Sequence, residues 1–136
     1  MSTSRFQQGE ARIIELPVID GNGNAVDLST ATQLRVWATQ KNQNGDEVAI
    51  SKYSLVPQAG YGVAKVKSGA GNEHIAQVEV TRQDSLNFSA SSLGFNLIAS
   101  LPDARFASGT APKEYNFPNL YFIDVGEMKN EVLPTP

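Results

Sequence analysis

Apolar and polar side chains alternate in short runs, each closed by Gly, Asn or Pro, and this constrains the chain more than any other feature. Successive side chains of a strand point to opposite faces, so each run offers one face to a core. Ile14, Leu16 and Val18 share a face, with Pro17 opposite; lacking an N–H, Pro17 predicts an edge or bulged strand. Leu34, Val36 and Ala38 form the next face, against Gln33, Arg35, Trp37 and Thr39. After the hairpin dipeptide Asn44-Gly45, Val48 and Ile50 predict a returning strand over 47–53. Ala64 and Val66 continue the pattern, then Ala76, Val78 and Val80, then Phe95, Leu97, Ala99 and Leu101. Tyr121, Ile123 and Val125 stand opposite Leu120 and Phe122, and residues 129–133 add a short strand. Asp84 is the expected N-cap of one short helical turn. The sum predicts an all-β fold, an antiparallel β-sandwich of immunoglobulin-like type, with a small jelly roll or closed barrel as the alternative.

A length of 136 residues predicts one domain. Its parts are a polar N-terminal arm (1–10), the sandwich (11–128) with a long loop over 102–119, and an extended tail (129–136). Loops of that length are uncommon inside a compact domain and are often functional. Residues 1–10 lack the apolar stretch of a secretory signal, so the chain is expected to be made and kept in a cytoplasm. The match of Asn87-Phe88-Ser89 to a glycosylation sequon then carries no weight. No apolar run is long enough for a membrane-spanning helix.

Composition narrows the chemistry. There are no cysteines, which excludes disulfides and thiolate metal sites, and His74 is the only histidine. A net charge of −3 provides no footprint for nucleic acid or an acidic membrane. Asp20-Gly21-Asn22-Gly23-Asn24 begins like a calcium loop, but the positions that require Gly and an acidic residue hold Ala25 and Ala31. A turn of left-handed-tolerant residues is the simpler reading. His74, with Asp84 and Ser85, makes no convincing nucleophile and base set. Asp46 with Glu47, and Asp124 with Glu127, are adjacent acids that read as solvated strand ends rather than a glycosidase pair. Residues 68–72 are glycine-rich but lack a P-loop lysine and a following helix. The expectation is therefore a protein that is not an enzyme and has no cofactor, metal, catalytic residue or nucleic-acid partner. Phe6, Trp37, Tyr115 and Phe117 are the candidate interface residues. Trp37 lies opposite Leu34, Val36 and Ala38, which makes it an interface residue or, if the faces are inverted, a core residue.

Taken together, residues 6–37 have a wider likeness. A polar lead-in with Gly9, an amphipathic strand, the Asp20-Gly21 turn and Val26-Asp27-Leu28-Ser29-Thr30-Ala31-Thr32 are followed by an alternating strand through Leu34 and Val36. This resembles the N-terminal domain of the upper baseplate protein family of tailed phages infecting Gram-positive hosts. Thr30 stands where that pattern has Gly, and residues 83–92, 94–101 and 121–134 match its second half loosely. The stretch 102–119 is longer than the family's hairpin. Family members continue into a coiled coil or receptor-binding region, so the resemblance implies a stand-alone virion module here. It would be a building block or adaptor of the tail or baseplate, neck or capsid vertex (penton or spike base). Its partners would be other copies of itself and other virion structural proteins, without direct membrane insertion. The alternative function is a carbohydrate-binding or adhesin-like β-sandwich module, its site an aromatic strip of Trp37 and Tyr residues on one sheet face.

Overall fold

The computed structural model describes residues 5–102 and 112–126, less the side chains of Arg5 and Pro112. Its strands are β1 (Arg5–Gln7), β2 (Arg12–Pro17), β3 (Gln33–Lys41), β4 (Glu47–Ser54), β5 (Gly62–Val66), β6 (Ile75–Val80), β7 (Ser92–Pro102) and β8 (Pro112–Gly126). One short helix, α1 (Arg82–Leu86), lies between β6 and β7. The strands form one eight-stranded sheet in the order β1-β8-β7-β3-β4-β5-β6-β2, curled into a half-barrel. The all-β expectation holds at this level. In place of two separate sheets, a group of five strands and a group of three stay joined where Tyr53 and Ser54 of β4 pair in parallel with Gly62 and Val63 of β5.

The core lies in the hollow of the curl. Ile14 and Leu16 of β2, Leu34, Val36 and Ala38 of β3, and Ala76, Val78 and Val80 of β6 are buried there, on the faces that alternation assigned. Phe95, Leu97 and Ala99 of β7 and Ile123 and Val125 of β8 join them. Each large side chain so buried contributes roughly 1.5–3 kcal/mol of transfer free energy. Pro17 sits in β2 at the end of the sheet, where a missing N–H costs no ladder bond on the open side.

Four expectations need correction. Val48 and Ile50 do not share a core face: the β3–β4 register shifts between Ala38 and Thr39, leaving Val48 exposed and Ile50 packed on the core. The helix N-cap is Thr81, not Asp84. Thr81 Oγ1 accepts from the Asp84 N–H, and the Asp84 carboxylate accepts from the Thr81 N–H, a reciprocal capping box. Residues 5–7, expected in a polar arm, are strand β1, parallel to β8 with Phe6 against Val125. Within the expected loop 102–119, residues 112–119 are strand and 103–111 lie outside the described residues. Pro112 and Pro118 disguise β8 in the sequence, and so does an irregularity in which Asn96 stands opposite Pro118, Asn119 and Leu120. There Asn119 takes φ 54°, and its N–H donates to Asn96 Oδ1 at 2.7 Å. The tail 129–136 also lies outside the described residues.

Two turns share one construction. Asp20 Oδ1 accepts from the N–H groups of Asn22 and Asn24, and Asn42 Oδ1 accepts from those of Asn44 and Asp46. Gly23 and Gly45 both take φ 83° at the fourth position, where a side chain would be strained. The Asp20 carboxylate is thus committed to its own turn's backbone.

Candidate functional site

Among the described residues, pairing leaves open the outer edges of β2, of β4 from Glu47 to Lys52, and of β8, the last being the longest. β8 pairs with β7 along one edge, but on its other edge β1 covers only Asp124–Gly126. Among the described residues, no strand pairs with the outer edge from Lys113 to Tyr121. Water or another strand must satisfy the backbone N–H and C=O groups there. Pro118 and the Asn119 irregularity interrupt this edge, which leaves Lys113–Phe117 as its regular stretch. Beside it, Pro17, Ile19, Asn116, Phe117, Pro118 and Leu120 line a cleft of about 430 Å³ between β8 and the chain leaving β2. Ile19 is 42% exposed on its wall.

The four expected interface residues do not form one surface. Phe6 is fully buried, edge-to-face with Phe88 at 6.0 Å between centroids and with the Arg12 guanidinium over its ring. Trp37 lies outside the core on the outer face of β3, half-buried, between Lys52 of β4 and Asn96 of β7 in register. Tyr115 and Phe117 both lie on β8, opposite Ala99 and Leu97 on the concave side. Tyr115 is 37% exposed and carries the Lys113 ammonium over its ring, while Phe117 packs against the core and lines the cleft.

Phe122 was not among the candidates, although its alternation with Tyr121, Ile123 and Val125 already points it outward. It is 54% exposed and lies against Gly94 of β7. A Cβ on Gly94 would come within 2.9 Å of Phe122 Cε1, so the glycine admits the ring. Tyr53 and Gly62 make the same kind of pair inside the fold, again at 2.9 Å. The Tyr53 hydroxyl bonds Ser51 Oγ at 2.8 Å and Asp84 Oδ2 at 3.2 Å, and burial pushes its pKa well above the ordinary range.

Two groups weighed for catalysis, Ser85 and Asp84, make structural hydrogen bonds. Ser85 Oγ is buried, donating to the Arg82 carbonyl and accepting from the Gly9 N–H, and Asp84 holds the helix cap and Tyr53. His74 borders a shallow cleft with Asp27 and Glu73, and its carbonyl accepts from the Val18 N–H. The Asp27 carboxyl is held below its usual range by the hydroxyl and N–H of Ser29. Asp46 and Glu47 are exposed beside a turn; Asp124 is exposed on β8, and Glu127 lies outside the described residues. Residues 68–72 are closed as a turn by the Asn72 side-chain amide on the Ser68 carbonyl. No family model, curated protein or solved structure matches this chain.

Proposed function

We propose that the chain is a structural subunit of a tailed-phage particle, a small oligomeric building block or adaptor assembled in the host cytoplasm. The tail or baseplate, the neck and a capsid vertex are the positions that its resemblance over residues 6–37 implies. The observation that carries the assembly role is the edge of β8 over Lys113–Phe117, which no strand among the described residues pairs, with Tyr115 and Phe117 on the same strand. An open strand edge is a template for strand addition; Pro118 and the Asn119 irregularity blunt one end of this edge, and Lys113–Phe117 is the regular stretch that can take a partner strand. The proposal also holds the finer reading of the fold. The groups of five and three strands act as the two layers of an immunoglobulin-like sandwich, joined at the narrow β4–β5 contact.

Light scattering of the purified protein across concentration tests the proposal. A discrete multimer that Tyr115→Glu converts to monomer is the expected result. A monomer at every concentration that also fails to bind isolated tail, neck and vertex proteins overturns it.

A further inference from the structure

A second surface has a different chemistry, on the outer face of the sheet. Thr39 and Lys41 of β3, Glu47 of β4, Ser92 and Gly94 of β7, and Phe122 of β8 line a cleft of about 370 Å³. This is near the lower end of ligand-cleft volumes, about 300–1,000 Å³. Phe122 is its aromatic wall, seated on the side-chain-free backbone of Gly94 and more than half exposed. Lys41 and Glu47 face each other in register across the β3–β4 hairpin, yet among the described residues neither makes an ion pair or a side-chain hydrogen bond. The Ser92 hydroxyl is exposed and equally unpartnered.

From this arrangement we infer a binding site for a neutral hexopyranose, and the inference does not depend on the assembly role. A pyranose presents a face of C–H groups and a rim of hydroxyls. The face suits an exposed aromatic ring, and the rim suits the Lys41 ammonium donor, the Glu47 carboxylate acceptor and the Ser92 hydroxyl, while Thr39 Oγ1 is held by the Gly94 carbonyl and the Asn96 amide. Other occupants fit less well. One cation balanced by one carboxylate provides no net field for a nucleotide or an acidic peptide. Strands β3 and β7, which form its floor, are paired on both sides, so a peptide strand could add only at the outer edges of β4 or β8, outside the cleft. With Phe122 and Gly94 as the apolar part of the lining, an acyl chain has nowhere to be buried.

The test is a titration of the full chain with methyl glucoside, methyl galactoside and N-acetylglucosamine, followed through backbone amide NMR. Saturable shifts in the millimolar range at Lys41, Ser92, Gly94 and Phe122 are expected with at least one of these sugars. Phe122→Ala should weaken binding roughly tenfold, and Phe122→Trp should retain or tighten it. Glu47→Gln, on an exposed side chain, gives a second reading should Phe122→Ala fail to fold, and it should weaken binding too. Tyr115→Glu, which tests assembly, should leave the sugar shifts in place. The inference is overturned if none of the three sugars moves these amides, or if the shifts persist undiminished in Phe122→Ala and in Glu47→Gln.

Discussion

Gln40 shows how one polar side chain organises its surroundings. It is buried at the end of β3, where its Oε1 accepts from the Ser89 N–H at 2.9 Å and its Nε2 donates to the Ser89 carbonyl at 2.8 Å. This pairing satisfies both backbone groups of a loop residue that has no strand partner. Gln40→Ala leaves the Ser89 N–H unpaired beside a cavity, while the Ser89 carbonyl keeps the Ser91 N–H. A loss of about 1–3 kcal/mol is expected, read as a lower denaturant midpoint at unchanged slope. Tyr53 carries a pH dependence. Its pKa is raised by burial first, and the neighbouring Asp84 adds to the rise. Above the ordinary phenol value of 10.0 the unfolded chain releases the Tyr53 proton while the folded chain keeps it, so the folded state binds more protons. The stability from this group is therefore complete below about pH 10 and falls as pH rises beyond it. Tyr53→Phe should flatten that alkaline loss, measured as denaturation midpoints between neutral and strongly alkaline pH.

At the scale of elements, β1 and β8 depart furthest from expectation. β1 is three residues long, yet its central Phe6 is fully buried against Phe88. The Gln8 N–H on the Gly126 carbonyl and the Gly9 N–H on Ser85 Oγ hold its exit. Phe6→Ala should therefore cost about 3–5 kcal/mol of stability, seen in thermal or chemical unfolding of the isolated protein. A residue serving only an interface between copies would leave that midpoint unchanged at low concentration. The signal for β1 was faint because three residues are too few for a period to declare itself. β8 was half-legible: its last part alternates cleanly, whereas Pro112, Pro118 and the left-handed Asn119 break the pattern before it. In the structure β7 pairs across the interruption and keeps the strand continuous. Register with a neighbour thus carried β8 where its own composition argued for a loop.

At the scale of the molecule, the strand order decides which surfaces exist. β2 pairs with β6 and β3 with β7, so much of the sheet joins residues far apart in the chain. Curling brings the end of β2 beside the middle of β8 and makes the cleft between them. Tyr115 and Phe117 were legible as aromatic residues in an unusual segment, but the open edge they occupy was not. An edge is defined by which strands fail to pair, and no local pattern records that. The sequence by itself determined that the chain is all-β, where most strands lie, which faces turn inward and where the tight turns fall. Those features depend on side-chain period and on backbone preferences within a few residues. Only the tertiary structure decided that the strands join in one curled sheet, that Phe6 belongs to the core and that Trp37 belongs to the outer face. It also left the β8 edge without a partner among the described residues, because non-local hydrogen bonding and core packing choose among strand partners that the local pattern leaves equivalent.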